Sequence, residues 1–208
     1  MNMGRKVVGS GLSFFVVVGL VGCASNEMTR SGFIDDYKRL APTQYENVLM
    51  YRAPGFEPRN YADIVVRDAV IKAKSGQIQG IDKSQEREIL AYITSELRRQ
   101  VAKPGATAGL SLGRLQVRAA LTELETPNRA VNWMTTLAVG PVTSGGASME
   151  LEVVDERTGR PVMAASCFDR GNVVTDFLSS YSQLGHAKVA VTNCIEQIDS
   201  VWRGTPLK

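Results

Sequence analysis

The 208-residue chain carries 24 Lys+Arg against 21 Asp+Glu, a formal charge of +3. Arg5 and Lys6 belong to an apolar leader, and without it the balance falls to 22 against 21. A nearly neutral chain lacks the clustered cations of a nucleic-acid binder, which excludes that partner class and leaves Arg98-Arg99 as a solvated helix face.

Residues 1–22 are predicted to be a lipoprotein signal peptide. Val7 to Val21 is an apolar run of 15 residues, the length of a signal core and short of a membrane span. Leu20-Val21-Gly22-Cys23 follows the lipobox pattern. The small Gly22 lets a peptidase reach the bond, and the Cys23 thiol is free to receive a diacylglycerol. An uncleaved anchor and an ordinary secretory signal are the alternatives, and the placement of the cysteine favours lipidation. Ala24 and Ser25 stand where an aspartate would retain a Gram-negative lipoprotein in the inner membrane. The expected address is therefore the outer membrane, with the domain facing the periplasm. The acyl chains make the membrane a partner, at about 0.8 kcal/mol per buried methylene. The tether from Cys23 to Gly32 reaches at most about 35 Å. Residues 33–208 are long enough for one domain with a substantial core.

Ser31 to Pro42 (SGFIDDYKRLAP) is expected to lie extended or as a short helix, with Phe33, Tyr37 and Leu40 as its buried side. Tyr45 to Tyr51 predicts a short strand before the Pro54-Gly55 turn, and the β-branched Ala62 to Ile71 a stronger one. Ser84 to Lys103 predicts a helix. Asp82 and Gln85 form a capping box, Ile89, Ile93, Leu97 and Val101 one apolar stripe with Leu90 beside it, and Pro104-Gly105 the stop. Arg114 to Thr122 alternates, with Leu115, Val117, Ala119 and Leu121 on one face and Arg114, Gln116, Arg118 and Thr122 on the other. Strand, helix and strand in succession predict a crossover joining parallel strands.

Trp133, Leu137 and Val139 predict a short amphipathic helix within Asn128 to Gly146. A hairpin follows, Ala147 to Val154 and Pro161 to Phe168, turning at Thr158-Gly159. Ala187 to Trp202 predicts a final helix with Val191, Cys194, Ile195, Ile198, Val201 and Trp202 on one face. The fold class is α+β: a mixed sheet covered on one face by two main helices, in the order β-α-β, hairpin, α.

Candidate chemistry is sparse. Cys167 and Cys194 are the thiols left after lipidation, and two readings stand: a disulfide, as an exported protein allows, or two buried free thiols. His186, the one histidine, is read as a surface or capping residue. No Cys-x-x-Cys, His-Glu-x-x-His or Gly-x-Ser-x-Gly occurs, and neither a metal site nor a cofactor is expected. Gly140 to Ala147 (GPVTSGGA) lacks the lysine of a phosphate loop and is read as a lead into the hairpin. Glu150, Glu152 and Asp155 offer acid-base chemistry, but their alternation with Met149, Leu151 and Val153 makes the carboxylate face look solvated. Asp35-Asp36 is read the same way. Tyr37, Tyr45, Tyr51, Phe56 and Tyr61 suit an interface or, the favoured reading, pin the N-terminal segment onto its own domain. Ala62 to Ile71 is either a free edge or covered by Tyr45 to Tyr51.

The lipobox, Ser31-Gly32-Phe33 with Tyr37 and Leu40, and the pattern Glu150, Asp155, Thr158, Gly159 together resemble an uncharacterised family of bacterial lipoproteins, domain of unknown function 3313. The resemblance covers the whole mature chain. It implies an anchored, periplasm-facing α/β domain and carries over no catalytic residue. The expected function is a non-enzymatic binding or assembly module with an envelope protein partner. A small-molecule or lipid carrier is the alternative, and a hydrolase using Glu150, Glu152 and Asp155 comes third.

Overall fold

A computed structural model describes residues 30–101, 113–125, 146–170 and 184–204. The predicted leader, the lipobox with Cys23, and the Trp133 segment lie outside these residues.

The strands are β1 (Ala41–Pro42), β2 (Val48–Arg52), β3 (Asp63–Val66), β4 (Val70–Ile71), β5 (Arg114–Glu125), β6 (Gly146–Asp155) and β7 (Arg160–Arg170); the helices are α1 (Lys83–Val101) and α2 (Gly185–Arg203). They form one sheet in the order β1-β2-β7-β6-β5-β3, with β4 also on β5. β3 and β4 run parallel to β5, and the other pairs are antiparallel. The expected mixed sheet with two helices is the fold.

Both helices lie on one face. Val48, Met50, Leu115, Val117, Ala119, Leu121, Met149, Leu151, Val153 and Met163 rise from the strands to meet Ile89, Ile93 and Leu97 of α1 and Val191, Ile195 and Ile198 of α2. Each such side chain contributes about 1.5–3 kcal/mol by leaving water. The helices run side by side in the same direction. Lys188 Nζ meets Glu88 at 2.6 Å, and the Tyr92 and Thr192 hydroxyls lie 2.7 Å apart. Near the C-terminal ends Arg203 donates to the Gln100 carbonyl at 3.1 Å.

Local signals held where local chemistry decides. Asp82 Oδ1 accepts from the Ser84 and Gln85 amides, and Gln85 Oε1 accepts from the Asp82 amide, a complete capping box. In the hairpin, Asp155 Oδ1 accepts from the Arg157 and Thr158 amides, while Gly159 takes φ +68°. Gly146 opens β6 where nothing larger fits, since a Cβ there would lie 2.9 Å from the Asp169 carbonyl.

Three expectations change. Ala62 to Ile71 is two short strands, because the Ala69 amide leaves the ladder to donate to Thr94 Oγ1 of α1 at 3.0 Å. Thr122 is buried rather than solvated, and a register shift between Leu121 and Glu123 breaks the alternation beside it and brings Leu124 into the core. In the N-terminal segment the buried residue is Ile34, at 3% exposure, whereas Phe33, Tyr37 and Leu40 are only half-buried. The segment turns through a short 3-10 helix at Tyr37–Arg39, capped by Asp36, and presents Ile34 inward.

Cys167 and Cys194 form a disulfide between β7 and α2, with their Cα atoms 5.8 Å apart. Of the two readings of these thiols, the bonded one stands. The bridge spans 27 residues of chain, and loop-closure entropy assigns such a bridge about 3.5 kcal/mol. Reduction, or Cys194→Ala, should lower unfolding stability by roughly 2–4 kcal/mol. Guanidinium denaturation of the leaderless domain with and without reductant measures this, and equal midpoints would contradict it.

Candidate functional site

The face of the sheet opposite the helices carries the feature that sequence patterning misjudged. Glu150 and Glu152 point to this face from β6, an inner strand, and are 0% and 1% exposed. Three of their four cross-strand neighbours are small, Ala120 and Ser166 flanking Glu150 and Ala164 flanking Glu152, while the fourth is Arg118, opposite Glu152 on β5. The small residues form a low floor from which the carboxylates rise. Residues 31–37 cross above it.

That crossing satisfies the carboxylates. Ser31 donates to Glu150 twice, from its amide at 3.2 Å and from its hydroxyl at 2.6 Å, and the Tyr37 hydroxyl donates at 2.7 Å. Glu152 accepts the Asp35 amide at 3.3 Å on one oxygen and pairs with the Arg118 guanidinium at 2.6 Å on the other. All four carboxylate oxygens therefore have partners from the chain. A buried carboxylate without partners costs several kcal/mol, and hydrogen bonds to charge return about 1.5–3 kcal/mol each. The N-terminal segment is thus part of what makes the sheet tolerable.

Burial holds the Glu152 carboxyl above its ordinary value of 4.5, against the opposing Asp35 amide and Arg118 guanidinium. The Tyr37 phenol is raised above 10.0, first by burial and then by its bond to Glu150. Tyr61 is raised in the same way, by burial and by donation to Asp155 at 3.1 Å.

The remaining candidates fall into place. Asp155 accepts Tyr61 and the turn amides, so it organises the hairpin end. Asp36 caps its own turn through the Lys38 amide. His186 is not at the surface: it lies in the first turn of α2 at 1% exposure, with no hydrogen-bond partner for Nδ1 among the described residues. The aromatics mostly pin the N-terminal segment to the domain. Tyr45 bonds Ser200 at 3.0 Å, Arg39 lies 3.5 Å over the Tyr51 ring, and Phe56 packs on Tyr61 and Trp202. Among the described residues no group of three His, Cys, Asp or Glu could hold a metal. Sequence reasoning missed Ser31 and Arg118 as partners of the carboxylates. The available signal was Pro161 to Phe168, free of charge on both faces, which marks a strand covered on both sides.

β3 forms one edge of the sheet, and Tyr45 to Tyr51 lies toward the other, so it does not cover this strand. An open groove of about 620 Å³ runs beside β3, between Pro58 and Tyr61 and the end of α1 at Arg98 and Val101.

Because the native state holds the Glu152 proton more tightly than the unfolded chain, this group favours folding fully below pH 4.5 and less as pH rises through its raised value. The difference in unfolding free energy between wild type and Glu152→Gln should therefore decline with pH from 4.5 toward neutrality. Urea denaturation across that range checks it, and a rising or flat difference would contradict it. Tyr37→Phe should cost about 1.5 kcal/mol, the low end for a hydrogen bond to a charge.

The chain is similar to several solved structures. A PelC dodecamer from Paraburkholderia phytofirmans shares 14% identity at a TM-score of 0.41, over 73% of this chain and 94% of that one. Protein XCC0632 from Xanthomonas campestris shares 9% identity at a TM-score of 0.41, over 73% and 90%. Protein CT253 from Chlamydia trachomatis shares 11% identity at a TM-score of 0.35, over 68% and 93%. No curated protein sequence matches the chain. Residues 29–198 match the model of the family described as "Protein of unknown function (DUF3313)", and the chain belongs to that family.

Proposed function

We propose that the chain is a lipid-anchored envelope protein, attached through Cys23 to the outer membrane, whose periplasmic domain is a non-enzymatic binding or assembly module. The observation that carries this reading is where the fold takes hold. Ser31, bonded to Glu150, stands only eight positions after Cys23, so the domain sits close against its attachment point. The carboxylates available for acid-base work are buried and engaged with the N-terminal segment and Arg118. A general acid or base needs reach to a substrate proton, and these side chains face their own chain instead. An edge strand with a groove beside it gives a partner somewhere to bind.

The alternative, a carrier of a small molecule or lipid, draws on the same groove, whose volume falls in the range of ligand sites. Native mass spectrometry of the domain separates the two, because a carrier arrives with added mass.

Labelled palmitate should enter the wild-type protein and not Cys23→Ala. In-cell crosslinking with mass spectrometry should return a discrete set of envelope proteins that disappears in the same variant. Undiminished labelling of Cys23→Ala would overturn the anchor. Cleavage of glycan or ester substrates by the pure domain, lost in Glu150→Gln, would overturn the non-enzymatic reading.

A further inference from the structure

The hydrogen bonds that hold residues 31–39 to the sheet converge on two carboxylates. Glu150 takes Ser31 and Tyr37, and Glu152 takes the Asp35 amide. Ile34 is the one fully buried side chain of the segment, and Arg39 closes its far end over Tyr51. The segment is also folded on itself through the same groups. The Tyr37 hydroxyl accepts the Gly32 amide at 2.8 Å while it donates to Glu150, and Ser31 Oγ accepts the Phe33 amide at 3.1 Å while it donates to Glu150. One carboxylate therefore anchors both hydroxyls that shape the segment. The next fixed point along the chain is β1, paired with β2.

We infer that Ser31 to Arg39 is a strap with a closed and an open position, that Glu150 is its catch, and that the strap sets how far the domain stands from its attachment point. This rests on Cys23 as the anchor. With the strap closed, the link from Cys23 is Ala24 to Arg30, about 25 Å at full extension. With it open, the link runs through Leu40 and reaches about 60 Å. Partners beyond the first distance are engaged only in the open position, since binding by a tethered module requires that its linker span the gap.

The test uses the mature acylated protein in phospholipid nanodiscs that contain a headgroup-labelled acceptor lipid. A donor dye is placed at Lys72→Cys, an exposed position. Wild type should give one short domain-to-bilayer distance. Glu150→Ala and Tyr37→Phe should give broader and longer distances, with amide exchange at residues 31–39 accelerated about tenfold or more and β6 amides unchanged. Tyr61→Phe, which removes a tyrosine–carboxylate bond elsewhere, should leave both readouts at wild-type values. Should Glu150→Ala also lose β6 protection, Tyr37→Phe decides. Unchanged distances in the variants, or wild-type strap amides exchanging as fast as those of a free peptide, would overturn the strap. Failure of the anchor is read separately, as absence of acylation with strap protection intact in the soluble chain.

Discussion

Two carboxylates on an inner strand are the constraint around which this fold is arranged. A sheet buried on both faces can be apolar throughout, and most of this one is. Placing Glu150 and Glu152 near its middle makes the second face unstable unless donors are delivered to it. Most of the donors come from the N-terminal segment, more than a hundred residues away in sequence, and Arg118 of β5 supplies the other. The small residues beside the carboxylates follow from the same need, because Ala120, Ala164 and Ser166 leave the segment room to descend. Tertiary structure here is specified by a polar requirement as much as by an apolar one.

The opposite face is conventional by comparison. Two helices running in the same direction share one apolar floor, and the disulfide ties the second helix to β7 across it. The parallel unit of β3, α1 and β5 and the antiparallel run of β5, β6 and β7 meet in β5. That strand serves both halves and carries the register shift at Thr122.

Much of this was legible because it is local. The capping box at Asp82 and Gln85 and the turn at Thr158-Gly159 are decided within a few residues, so their sequences speak directly. The disulfide was legible only as one of two readings, since pairing depends on how a strand and a helix face each other. The carboxylate face was misread because alternation reports that two faces differ in polarity, not that one of them meets water. Nothing near Glu150 names Ser31 as its partner. The split at Ala69 was hidden for a related reason: Thr94, which takes the Ala69 amide, lies on another element. Yet the residues that carry the family resemblance, Ser31 and Tyr37 at one end and Glu150 at the other, are the ones the fold brings into contact.

The separation between Ser31 and Glu150 also imposes an order in time. A chain leaves the ribosome with its N-terminus first, so Ser31 emerges 119 residues ahead of the side chain that receives it. At ordinary synthesis rates that gap lasts about 6 to 24 s. Throughout it, the segment has no β6 to settle on, so its docking waits for the strand that carries Glu150. The stretch synthesised first is then among the last to find its place.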